Sequence, residues 1–111
     1  MTITKELLSG STNGRPIDVT ATTSGTAITA HAAHASLKDE VWLWAVNQDT
    51  VARKLTVEFG VASPPIEVTI PAEDGLHLVI PGVPLTGADL VKAFADSASK
   101  IGLVGHVNRH S

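Results

Sequence analysis

From residue 53 onward the chain is cut by turn formers at short, even intervals. Arg53-Lys54-Leu55-Thr56-Val57-Glu58-Phe59-Gly60 alternates apolar Leu55, Val57 and Phe59 with polar Lys54, Thr56 and Glu58, the pattern of a strand with one wet face. Ala62-Ser63-Pro64-Pro65 breaks that run, Ile66-Glu67-Val68-Thr69-Ile70 repeats it, and Pro71 stops it again. Glu73-Asp74-Gly75 turns into Leu76-His77-Leu78-Val79-Ile80, which Pro81-Gly82-Val83-Pro84 closes. Before these, Ile17 to Thr22 alternates in the same way, and Ser24-Gly25 marks a turn. At the other end, Lys100 to Asn108 reads as a strand lightened by Gly102 and Gly105. Strand and punctuation recurring about every ten residues predict a sandwich or jelly roll.

Two segments fit less cleanly. Residues 27–35 are rich in alanine, a poor strand former, and admit a helix; Thr26, Ile28 and Thr29 and the lack of a helical apolar stripe favour a strand. In Leu85 to Lys100, Thr86 and Asp89 resemble a helix cap ahead of Leu90, Val91, Phe94 and Ala95, whereas Val91, Ala93 and Ala95 alternate as in a short strand. The β neighbours on both sides weigh toward strand. Ser9 to Pro16 is dense in turn formers and sets Ile3, Leu7 and Leu8 apart from the rest, so residues 1–14 read as an arm or edge segment. The expectation is an all-β, single-domain, jelly-roll-like β-sandwich of about eight strands over residues 15–111, with an extended N-terminal arm over residues 1–14.

One strand departs from the half-wet pattern. In Asp39 to Asn47, Val41, Leu43 and Ala45 occupy one face while Trp42, Trp44 and Val46 occupy the other. A sandwich core covers one face only, so the tryptophan face needs another cover, most simply a second protein surface. Core burial of the two tryptophans and a stacking platform for sugar rings are the alternatives, the latter weakened by the absence of tyrosine.

Composition narrows the function further. A net charge of −3 over 111 residues supplies no field for a phosphate backbone, so no nucleic-acid partner is expected. No apolar run reaches the length of a membrane span, so no membrane partner is expected either. Without cysteine there is neither a disulfide nor a thiolate metal site. His31, His34, His77, His106 and His110 lack metal-ligand spacing and read as polar groups on wet faces, at loop ends or at an interface. Asp39/Glu40 and Glu73/Asp74 read as solvated charges at strand boundaries, and there is no nucleophile elbow, phosphate loop or dinucleotide fingerprint. No cofactor, metal or catalytic activity is expected.

Several stretches taken together resemble the small virion structural proteins of tailed bacteriophages. They are Leu7 to Ile17, Asp39 to Trp44, Val51 to Gly60, Ile66 to Pro71, Val79 to Gly87 and Gly105 to Arg109. The alanine- and histidine-rich residues 27–35 and the charge in Ala88-Asp89 depart from that pattern. The resemblance implies a non-enzymatic capsid decoration or cement subunit, made in the host bacterial cytoplasm and carried on the virion. Its partners would be the major capsid protein or other virion proteins, and copies of itself as a dimer or trimer. A tail, connector or fibre-base component, or a module binding glycans or host surfaces, is the alternative. The expected contact residues are Ile3, Leu7 and Leu8 of the arm, Trp42, Trp44 and Val46 of the apolar face, and His106, Asn108 and Arg109 near the C-terminus.

Overall fold

The computed structural model describes residues 2–111. Nine strands follow one another: β1 (Ile3–Leu7), β2 (Ile17–Asp18), β3 (Ile28–Ala32), β4 (Lys38–Asn47), β5 (Arg53–Phe59), β6 (Ile66–Ile70), β7 (His77–Leu85), β8 (Leu90–Ala95) and β9 (Ile101–His110). A 3-10 turn spans Ser24–Thr26, and there is no α-helix among the described residues. The strands form two antiparallel sheets, one of five strands in the order β1-β9-β4-β7, with β2 also on β9, and one of four in the order β3-β8-β5-β6. From β3 onward nearly every connection crosses between the sheets, which is the winding of a jelly roll.

The alternation read from the sequence now has a direction. Val41, Leu43 and Ala45 of β4, Leu55 and Val57 of β5, Val91, Ala93 and Ala95 of β8, and Ile101, Leu103 and Val107 of β9 meet between the sheets, each at most 1% exposed. Residues 28–32 and 90–95, the two ambiguous segments, are both strands. Their alanines suit this role, since Ala30, Ala93 and Ala95 let the sheets approach without a gap.

Strand β9 holds the larger sheet together. All ten of its residues pair with β4 on one side, and on the other β1 takes 106–110 while β2 takes 102–103. Between β1 and β2 the chain leaves that sheet and crosses to β3. There the Gly10 N–H donates to the Ala30 carbonyl at 2.9 Å and the Ala32 N–H donates to Ser9 Oγ at 2.7 Å. This crossing closes one side of the sandwich, with Leu8 as its apolar plug.

The structure sharpens one expectation and corrects another. Of the arm or edge segment, residues 3–7 are an edge strand in register with β9, which makes nine strands where about eight were expected; residue 1 of that segment lies outside the described residues. Pro81-Gly82-Val83-Pro84 does not close its strand, because β7 is an edge strand, where a missing N–H costs no ladder bond on the open side. Two register shifts against β4 absorb the prolines.

Candidate interaction surface

The register fixes what lies on the outer side of the five-stranded sheet. Glu40, Trp42, Trp44 and Val46 of β4 stand opposite Asn108, His106, Val104 and Gly102 of β9. Ile3, Lys5 and Leu7 of β1 continue the same rows beyond His110, Asn108 and His106, and Leu78 and Pro81 of β7 flank Trp44 and Trp42 on the far side. Trp42, Trp44 and His106 are partly buried against one another, while Ile3, Leu7 and Leu78 are 57%, 55% and 48% exposed.

The three rings form a triangle. Trp42 and Trp44 have centroids 6.0 Å apart, Trp44 and His106 6.0 Å, and Trp42 and His106 6.5 Å, with interplanar angles of 16° to 26°. Three rings in one column would place the outer pair at twice the neighbour spacing, so this is a patch of similarly tilted rings. The patch is held from below and from the side. Trp42 covers Gly82, where φ is +74° and a Cβ would come within 2.6 Å of the indole Cζ2, so glycine is required both by the backbone and by the ring above it. The Trp42 indole N–H donates to Glu40 Oε1 at 2.7 Å, and Asn108 Nδ2 donates to the same oxygen at 3.1 Å.

These contacts set the local charge. Hydrogen bonds from Trp42 and then Asn108 hold the Glu40 carboxyl below its ordinary range, with His110 Nε2 3.6 Å from its other oxygen. Burial, and after it the nearby Lys5, pushes His106 below 6.5, against a smaller opposing pull from Glu40. The centre of the face therefore favours a neutral imidazole between two indoles, with Lys5, Lys38, Glu40, Asn108 and His110 at one end. At the other end Pro16, Val46, Ile101 and Gly102 line an open depression of about 380 Å³ beside Asp18, Gln48 and Lys100.

Seven of the nine expected contact residues share this face: Ile3, Leu7, Trp42, Trp44, Val46, His106 and Asn108. Leu8 is in the core at 1% exposure, because the chain has already turned away from β9 toward β3. Arg109 has the wrong parity on β9 and points between the sheets, where its Nε and Nη2 donate to Asp39 at 2.8 and 3.1 Å.

That ion pair belongs to a buried cluster with no local signature in the sequence. Asp39 and His31, both expected in water, are 0% and 1% exposed. His31 Nδ1 accepts the Ser9 N–H at 3.0 Å, so its proton sits on Nε2, which donates to Asp39 Oδ2 at 2.8 Å. The His34 N–H donates to the same oxygen at 3.2 Å. Burial pushes the Asp39 carboxyl up, but bonds from Arg109, His31 and the His34 amide, with the Arg109 charge, outweigh it and hold the pKa at about 2. Both imidazole nitrogens of His31 are engaged within the protein, so this pair has no free nitrogen with which to act as a base. Its work is to tie β1's exit, β3, β4 and β9 together. No group of three or more His, Cys, Asp or Glu side chains placed to hold a metal occurs among the described residues. No protein-family model, no curated protein and no solved structure matches the chain, which leaves the aromatic face as the feature from which to read its role.

Proposed function

We propose that the protein is a non-enzymatic virion structural subunit, a capsid decoration or cement protein that buries the outer face of its five-stranded sheet on the major capsid protein of a phage head. The observation that carries this reading is the Trp42/Trp44/His106 patch, continuous with Leu7 and Leu78 on a face that its own fold leaves uncovered. The resemblance of the chain to small phage virion proteins supports it. A rigid aromatic centre with a polar end is the anatomy of a docking surface, and the Glu40 bond that fixes Trp42 lowers the ordering cost of binding. On a symmetric shell, many modest contacts of this kind sum to strong attachment. The jelly-roll architecture serves viral shells and lectins alike and does not choose between them.

The partners are virion proteins and the location is the particle. A sugar platform is the competing use of exposed indoles. Glu40 speaks against it, because its Oε1 is already taken by Trp42 and Asn108 and its other oxygen faces His110, which leaves little hydrogen-bonding capacity for hydroxyls. The deciding experiment mixes purified protein with empty phage heads and follows co-sedimentation and head melting. Wild type should bind and raise the melting temperature, and Trp42→Ala with Trp44→Ala should do neither. Failure of the wild type to bind heads, or tryptophan-dependent binding on a glycan array, removes the reading.

A further inference from the structure

The sandwich has four strand edges, and they are not treated alike. β3 is covered by Ser9 and Gly10 through the bonds at Ala30 and Ala32. β7 carries Pro81 and Pro84, which lack an N–H, and its pairing shifts register twice. β1 has a lysine, Lys5, at its centre, a common guard against pairing. β6 is less guarded: Pro65 and Pro71 bound Ile66-Glu67-Val68-Thr69-Ile70 without interrupting it, its one charge, Glu67, is held by Lys54 of β5 at 2.7 Å, and it pairs with β5 in one unbroken register. Its far edge meets no backbone partner among the described residues, only the Asn47 amide, which donates to the Ile70 carbonyl at 3.0 Å.

The side of the sandwich that β6 shares with β7 is also its open side. Val83 stands opposite Val41, and Ile66 opposite Val57, so both occupy inward-facing positions, yet they are 40% and 36% exposed.

We propose that a second copy of the chain pairs here, β6 against β6, antiparallel about a two-fold axis through Val68. The sequence of the strand suits itself. Inward residues stay inward only if even positions meet even and odd meet odd. The fully overlapping register that meets this condition sets Val68 against Val68, Ile66 against Ile70, and Glu67 of each copy against Thr69 of the other. No like charges meet. The same operation on β1 would set Lys5 against Lys5. The result is a continuous eight-stranded sheet, with the two aromatic faces side by side and pointing the same way. The inference stands apart from the virion reading, because it uses an edge and leaves the tryptophan face free.

Sedimentation velocity on the full chain, up to about 100 µM protomer, tests it. The wild type should sediment as a dimer. Thr69→Glu places a carboxylate opposite Glu67 twice per dimer and should weaken association by roughly tenfold, with an unchanged far-UV spectrum; Thr69→Gln, which adds length without charge opposite Lys54 and Glu67, should remain dimeric. Backbone amide exchange over residues 66–70 of the wild type should slow as concentration rises. A monomeric wild type, a dimer indifferent to Thr69→Glu, or one dissolved by Lys5→Glu or Trp42→Ala would overturn the proposal, as would amides in 66–70 that exchange independently of concentration.

Discussion

Strand β4 is built inside out in two places. Its inward position at Asp39 carries a charge at 0% exposure, while its outward positions at 42 and 44 carry tryptophans. The difference lies in how each is satisfied. Asp39 accepts four hydrogen bonds from three residues of its own chain, so the buried charge is fully accounted for within the protomer. The indoles have each other, His106, the Gly82 backbone beneath Trp42 and one carboxylate, and the apolar rim around them faces water. A misplaced charge with complete partners marks architecture; misplaced apolar rings with incomplete partners mark a surface meant for something else.

That contrast can be broken experimentally, most forcefully from the inside. Asp39→Ala leaves the Arg109 guanidinium and the His31 Nε2–H unpaired, and should lower unfolding stability by about 3–5 kcal/mol in urea denaturation. A loss under about 1 kcal/mol would mean that the interior cluster is dispensable. Acid should act next most strongly. The folded pKa of Asp39, about 2, lies below its ordinary 3.8, so the unfolded chain takes up the proton first. The stabilisation is present above about pH 4 and fades as pH falls through 3.8 toward 2, a loss of about 2 kcal/mol. The depressed His106 pKa has the same sign, its contribution fading as pH drops below 6.5. In Asp39→Asn the lower part of this acid dependence should vanish and the upper part remain.

The outer face should respond in the opposite proportion, with little effect on folding and a large effect on docking. Trp42→Ala removes a ring that packs on Gly82 and should cost about 1–2 kcal/mol in thermal unfolding, while abolishing head binding. The smallest expected change in stability is at Leu78→Ser, within about 0.5 kcal/mol, because the side chain is 48% exposed. If that variant also bound heads as well as wild type, the docking face would end at Trp44 and not extend to β7.

The sequence made legible whatever depends on neighbours along the chain. Period-two alternation located β5, β6 and the start of β7, and the doubly apolar run at 41–46 identified the face that carries seven of the expected contact residues. What it hid depends on partners far away in sequence. Asp39 looks like a turn charge until Arg109 and His31 close around it. Leu8 and Arg109 are close in sequence to residues that do lie on the outer sheet face, but one lies past a chain reversal and the other a single residue out of phase. Parity along Gly105 to Arg109 was the available signal for Arg109, since His106 and Asn108 on one face put Arg109 on the other. Between arm and edge strand residues 3–7 stayed open, because five residues with three polar positions carry little periodic signal and the partner lies about a hundred residues downstream.

The central place of β9 in the larger sheet also bears on timing. During synthesis, β1, β2 and β4 leave the ribosome long before residues 101–110, and each of them needs that stretch as its hydrogen-bonding neighbour. Half of the molecule must therefore wait, with its tryptophans and strand edges accessible, until the last tenth of these residues has been translated. Folding should be slow and wait for residues 101–110, as long-range pairing requires, and a ribosome stalled ahead of residue 101 would carry a nascent chain that chaperones hold as an unfinished, adhesive sheet.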